Sequence, residues 1–473
     1  MESRKPANAS EIFQLMPSVD ALLHSPTAHR ILHETGAKYL TVLARSANNA
    51  LRSELQNSAD NKDFSRELLL EKAEKFLENA WLDSQKSKLQ RVINAAGVII
   101  HTNLGRAPLS DNARKAIAET AAGYCNLEYD LETGKRGKRG ANVEKLLAEI
   151  TGAEAALIVN NCAAAAFLIL KVLAEGGEVV VSRGELVEIG GDFRVPDVMT
   201  QSSAILREVG TTNRTKISDY ESAINPNTKL FLKVHPSNYR IIGFTESVGV
   251  AELTNLAHKN NVLVYEDAGS GAIFDLSEFG LTDEPLIAKS IAAGADVVSF
   301  SGDKLLGGVQ SGLIVGKKET IEKIRKHPLY RALRVDKLSC AALEATLESF
   351  RRETALQEIP VLKMLAQTLE HTKTRTENFA RNLQERLDEN SGLSVEIRNG
   401  NSVVGGGSAP DVQPETFVLE IRRAQMSSSK LEEILRKSKP PVITRILDDR
   451  VLIDLRTVNE SEESELLEIL RNL

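Results

Sequence analysis

Cysteine is scarce in this 473-residue chain: Cys125, Cys162 and Cys340 stand far apart and form no CxxC pair. That spacing excludes a zinc knuckle and a disulfide framework, and it fits a reducing compartment. Long apolar runs are missing too, none approaching the ~18 residues of a membrane span. The opening MESRKPANASEIFQ lacks the apolar core of a secretory signal, so a cytoplasmic protein without a membrane is expected. Positive charge is not in excess: 59 Lys and Arg against 65 Asp and Glu leave a net charge of -6. Any contact with nucleic acid must therefore come from a local basic patch. What is present, 42% hydrophobic and 26% charged residues with 30 glycines, is a globular composition. The length predicts two or three domains.

Residues 11 to about 81 repeat apolar positions three and four apart in EIFQLMPSVDALL and RELLLEKAEKFLENAWL, the period of amphipathic helices. SPT at 25–27 and the polar NSADNKD run separate successive helices. The prediction is a helical domain over 1–75 and a linker over 76–90. Its balanced charge suits packing or oligomerisation as well as RNA binding. From residue 91 the pattern changes. ALIVN, EVVVS, KLFLKVH, NVLVYED and DVVSFSG are short apolar runs, each followed by turn residues and an amphipathic stretch. Strands apolar on both faces and separated by helices predict an α/β domain over 91–335, its mostly parallel sheet covered by helices. A long helical span from 336 to 387, then VEIR, FVLEIRR, PPVITRI and RVLIDLRTV, predicts a smaller α+β domain over 336–473, with GGG at 405–407 as a loop.

Sheets of this kind bind ligands beyond the carboxyl ends of their strands. NVLVYED ends at Asp267, DVVSFSG runs into Ser301, Asp303 and Lys304, and ALIVN is followed by NNCAAAA, small residues where a helix begins. Pyridoxal phosphate chemistry needs an acid, a lysine and a helix start of this sort. A lysine holds the aldehyde as a Schiff base and moves the α-proton, and an aspartate keeps the pyridine nitrogen protonated. Free N–H groups around Asn161, Cys162 and Ala163 suit the phosphate. Ser301 adds a hydroxyl, and Gly307 and Gly308 permit close backbone approach. Taken singly, each feature has a plainer explanation: a solvated lysine, a turn-forming aspartate, a capping asparagine.

Several longer blocks, INAAGVIIHTNLGRAPLS (93–110), VVVSRGELVEIGGDFRVPDVM (179–199), EVGTTNRT (208–215), VHPSNY (234–239), SFSGDKLLGG (299–308) and HPLYRALRVDK (327–337), closely resemble the bacterial selenocysteine synthases, the L-seryl-tRNA(Sec) selenium transferases. The resemblance covers most of the chain. It implies a fold type I pyridoxal phosphate enzyme with an N-terminal tRNA-binding domain, assembled as a ring of dimers, a homodecamer. Lys304 matches the Schiff-base lysine and Asp267 the ring-nitrogen acid. One departure is Cys162, where the phosphate-loop run of the family has a third asparagine. The implied reaction is β-replacement on seryl-tRNA(Sec) with selenophosphate, through an aminoacrylyl-tRNA intermediate. The alternatives are a pyridoxal phosphate lyase or desulfurase acting on a free small amino substrate, and a non-catalytic RNA-binding protein.

The implied substrate bears on the arginines. A seryl carboxylate esterified to tRNA leaves a carboxylate clamp nothing to grip, so Arg456, following Asp454 in VLIDLRTV, stays unassigned. Selenophosphate needs cations, which Arg331 and Arg334, three apart and on one face if helical, can supply with Arg106. Arginines pairing with acids at a subunit contact are the plainer alternative. Thr211, Thr212 and Arg214 either line the cleft or form a turn. His235 either touches the cofactor ring or is structural. His101 and Asn103 are candidate wall residues, and KRGKRG at 135–140 is a solvated loop or a contact to tRNA or a neighbouring subunit.

Overall fold

A computed structural model describes residues 13–57, 65–85, 89–189, 193–388 and 391–473. Most of the NSADNKD run, part of the expected linker (86–88), and residues 190–192 of the VVVSRGELVEIGGDFRVPDVM block lie outside the described residues. The chain divides into two compact units, one ending at Arg91 and the other spanning Val92–Leu473.

In the first unit, α1 (Val19–Leu23), α2 (Pro26–Thr35), α3 (Ala37–Asn57) and α4 (Arg66–Gln85) begin where the local chemistry directs. The Ser18 and Ser25 side chains accept the Ala21 and Ala28 N–H groups, and Pro26 occupies a first-turn position that has no need of its missing N–H. Gly36, at φ 77°, separates α2 from α3. Leu22, Ile31, Leu51, Leu69 and Leu77 are fully buried together. Helix α4 continues through residue 75.

In the second unit, β1 (Ala155–Val159), β2 (Glu178–Ser182), β3 (Ile205–Val209), β4 (Thr228–Val234), β5 (Leu263–Gly269), β6 (Val297–Ser301) and β7 (Gly312–Gly316) form one sheet in the order β1-β7-β6-β5-β4-β2-β3. Only β7 is antiparallel to its neighbours. Two of these strands escape the sequence pattern: β3, ILREV, is polar because it is an edge strand, and β7, GLIVG, is short and bounded by glycines. Helices α5 (Ala141–Thr151), α6 (Cys162–Ala174), α7 (Val250–Lys259), α8 (Lys318–Lys326), α9 (Pro328–Leu333) and α10 (Lys337–Arg351) cover the sheet. Leu157, Val179, Val181, Leu230, Leu232 and Tyr265 meet α6 on one face. Ile158, Val298, Phe300 and Leu313 meet α5 and α10 on the other.

The long helical span expected from 336 is broken. Helix α10 ends before Glu353, at φ 59°, and Pro360 starts α11 (Pro360–Ala366), because proline cannot continue a helix that precedes it. Beyond α12 (Leu369–Gln384), strands β8 (Leu393–Asn401), β9 (Glu415–Arg423), β10 (Arg445–Leu447) and β11 (Arg450–Asp454) make an antiparallel sheet ordered β8-β9-β11-β10. Helices α12, α13 (Ser428–Arg436) and α14 (Glu463–Arg471) pack one face of it through Phe379, Leu431 and Leu466. Two short strands near the start of the unit form separate two-stranded pairs with C-terminal segments: Ile93–Asn94 with Val442–Ile443, and Val98–Ile100 with Val403–Gly405. Gly405, Gly406 and Gly407 all have positive φ; Gly405 ends the short strand, and Gly406 and Gly407 form the expected turn. Among the described residues no helix is long and apolar enough to cross a membrane.

Candidate active site

The crevice lies where β1, β5 and β6 end. From β1 the chain passes through Asn160 to Asn161, whose extended backbone and side chain cap α6 by accepting the Ala164 N–H at 2.8 Å. The N–H groups of Cys162 and Ala163 have no hydrogen-bond partner among the described residues, so the helix start offers free donors with the favourable end of its dipole. At the start of β7, a Cβ on Gly312 would lie 2.1 Å from the Asn161 carbonyl oxygen, so only glycine lets the strand pass this close.

Asp267 sits on β5 opposite Ser299 of β6 and is 7% exposed. Its Oδ1 accepts the Gly269 N–H at 3.1 Å, the Ser299 hydroxyl at 3.3 Å and the Cys162 thiol at 3.7 Å. Oδ2 has no hydrogen bond among the described residues and is not sealed from solvent. Burial pushes this carboxyl above its ordinary range, opposed by the Gly269 N–H and the Lys304 charge. Behind it, Tyr265 Oη lies 2.7 Å from Ser299 Oγ, both buried.

Lys304 follows β6 in a tight turn closed by Gly307 N–H to Lys304 O at 2.9 Å and Gly308 N–H to Gly302 O at 2.8 Å. Gly307 adopts φ 68° and a Cβ there would strike Ile359, so the turn depends on glycine. The lysine is only 5% exposed, yet its Nζ has no hydrogen bond or ion pair among the described residues and is not sealed from solvent. A buried cation without a partner is costly unless something else occupies the space beside it. Free N–H donors at a helix start, a carboxylate oxygen left open and an unpaired lysine are the groups that pyridoxal phosphate requires, and the residues present fit it. Ser301, at the end of β6, is buried at 7% exposure.

The profile of the L-seryl-tRNA selenium transferase family matches residues 92–459. An L-seryl-tRNA(Sec) selenium transferase of Clostridium perfringens is 46% identical over 98% of this chain and 99% of its own. One of Aquifex aeolicus is 52% identical over 79% of this chain and 82% of its own. This chain belongs to the L-seryl-tRNA selenium transferase family. A solved D-glucosaminate-6-phosphate ammonia-lyase shares the fold, with a TM-score of 0.55 at 22% identity over 81% of this chain and 95% of that one. The fold is fold type I of the pyridoxal phosphate enzymes, and that cofactor belongs to the family.

In this member of the transferase family the three arginines sit in different surroundings. Arg106, in a left-handed conformation at φ 63° after Gly105, forms an ion pair of 2.8 Å with Asp303, the residue before Lys304. Arg331 is exposed on α9, whereas Arg334 lies 3.6 Å from Glu128. The shared helical face expected for these two does not form, because α9 ends at Leu333 and Arg334 is extended at ψ 143°. The Asn160 N–H donates to Leu333 O at 3.0 Å, which fixes this segment beside the start of α6.

GTTNRT forms a turn beyond β3: Thr211 Oγ1 donates to Arg214 O at 3.0 Å, Arg214 pairs with Glu246 at 2.6 Å, and Thr212 is exposed. The His235 N–H donates to Asp267 O at 3.0 Å, while its Nε2 lies 3.6 Å from the buried Glu284. His101 has a buried Nδ1 without a partner among the described residues, and burial lowers its pKa; Asn103 is exposed. In KRGKRG, Arg136 and Arg139 both reach Glu128 and Lys138 reaches Glu322, so much of its charge is matched within the chain.

Arg456 is no clamp. Strand β11 stops at Asp454, whose Oδ1 accepts the Arg456 N–H and turns the chain, so the two residues do not share a strand face. Its guanidinium donates to the carbonyl oxygens of Met364, Gln367 and Glu415 at 2.7–2.9 Å. Sequence reasoning missed Ser299 and Tyr265, and it placed Asp303 at a strand end without its pairing to Arg106. The signal for the first two was available, since Tyr265 lies two residues before Asp267 and Ser299 two before Ser301, hence on matching strand faces.

Proposed function

We propose that this protein converts L-seryl-tRNA(Sec) to L-selenocysteinyl-tRNA(Sec) with selenophosphate, using pyridoxal 5'-phosphate. The observation that carries the assignment is the buried, unpartnered Lys304 facing the same crevice as Asp267 and the α6 start, in a chain of this family. Lys304 would hold the aldehyde, Asp267 Oδ2 the ring nitrogen, and Asn161, Cys162, Ala163 and Ser301 the phosphate. When bound, the cofactor supplies an electron sink for the carbanion at serine Cα. Lys304 Nζ takes the proton from Cα and passes it to the β-hydroxyl as the Cβ–O bond breaks, so the oxygen leaves as water. Selenium then forms a bond to Cβ while the proton that selenophosphate gives up passes through Lys304 to Cα, and water cleaves the Se–P bond to release phosphate. The Arg106, Arg331 and Arg334 guanidinium groups hold the selenophosphate anion. In support, Arg106 is anchored at Asp303 beside Lys304, and Arg334 follows the segment fixed to Asn160.

The helical domain, expected over 1–75, binds the tRNA, and the protein works in the cytoplasm as a homo-oligomer, a ring of dimers, as the family resemblance implies. Removing that domain leaves cofactor binding intact and weakens tRNA binding; equal tRNA affinity without it overturns its role. The deciding experiment mixes the holoenzyme with seryl-tRNA(Sec) or free serine and follows the cofactor absorbance with and without selenophosphate. A spectral change with charged tRNA alone, then selenophosphate-dependent selenocysteinyl-tRNA, is the expected result. A response only to free serine makes the protein a small-substrate lyase.

A further inference from the structure

We infer that Cys162 is a positioning residue for Asp267, an inference that rests on the cofactor assignment above. Three donors from three elements converge on a single carboxylate oxygen: the Gly269 N–H after Asp267, the Ser299 hydroxyl on β6 and the Cys162 thiol at the first turn of α6. The same thiol lies 3.8 Å from Ser299 Oγ, so the two side-chain donors support each other. Tyr265 holds Ser299 from behind. With Oδ1 surrounded, the carboxylate cannot rotate about its Cβ–Cγ bond without breaking all three contacts, and Oδ2 is left as the acceptor open to the crevice.

A thiol serves here only while it keeps its proton, since a thiolate would repel the carboxylate. Burial and the neighbouring Asp267 charge both favour the protonated form. An S–H group is a weak donor, so the contribution is a few-fold rather than decisive. The placement also answers what a cysteine does in a phosphate-binding turn. The turn needs from residue 162 only its backbone N–H, which leaves the side chain to turn inward toward Asp267. Cys162 therefore links the phosphate end of the cofactor site to the ring-nitrogen end.

The test uses the full-length holoenzyme and its Cys162→Ala and Cys162→Ser variants, read by the pH midpoint of the bound cofactor's visible band and by the dissociation constant for pyridoxal 5'-phosphate. Alanine removes the donor and is expected to shift the pH midpoint and to weaken cofactor binding by roughly three- to tenfold. Serine restores a donor and stays within about twofold of the parent. Ser299→Ala, which leaves the α6 start untouched, shifts the midpoint in the same direction and keeps the inference testable if the alanine variant at 162 does not fold. A midpoint and affinity unchanged in Cys162→Ala, or serine falling as far as alanine, overturns the inference. A parent protein that shows no cofactor band at all overturns the cofactor assignment itself.

Discussion

Lys304 and Arg456 are both almost fully buried cations, at 5% and 2% exposure, in the same compact unit. Arg456 is surrounded by carbonyl oxygens: it caps the end of α11 through Met364 and Gln367 and ties that end to β9 through Glu415. Lys304 has no hydrogen bond or ion pair among the described residues, and glycine turns hold it at a crevice. The difference separates structure from chemistry. A buried charge with most of its donors spent on backbone carbonyls is a fastener, whereas a buried charge left unspent is reserved for something that arrives.

Exchanging the two roles by mutation gives the sharpest test. Lys304→Ala removes an unpaired charge, so the fold survives while the Schiff-base absorbance and turnover disappear. Retention of either would sink the comparison. Asp267→Asn keeps the contacts on Oδ1 but lacks a negative charge for the ring nitrogen. Turnover is expected to fall on the order of 100-fold with cofactor still bound, as single-turnover kinetics would show. Arg456→Met should do the reverse, lowering stability by roughly 3 kcal/mol in urea unfolding because three carbonyls lose their donor, and leaving the cofactor spectrum unchanged. A lost spectrum in that variant would return Arg456 to the active site. The smallest effect is expected at Arg214, whose exposed pair with Glu246 only stitches a turn. Arg214→Ala should leave the melting temperature nearly unchanged, and a large loss of turnover would place the turn in the catalytic cleft.

Much of this was legible in the chain itself. Lys304 and Asp267 could be named because a parallel sheet places its strand ends on one edge, so residues that follow apolar runs in NVLVYED and DVVSFSG must meet. Edge strand β3 was illegible because a polar edge strand carries no apolar period, and the break at Glu353 because a single left-handed residue leaves no compositional trace. The expected arginine face over Arg331 and Arg334 failed because α9 stops one residue too soon.

The sequence by itself determined the change of pattern near residue 91, the alternation that builds the sheet, the acid and the lysine, and the family to which they belong. These depend on local periodicity and on residue order, which are properties of the chain. Only the tertiary structure decided which partners each side chain met. Cys162 reaches Asp267 across 105 positions and Arg106 reaches Asp303 across 197. Such contacts are fixed by strand register and by where helices end. No local pattern encodes them, because they exist only after distant segments have packed.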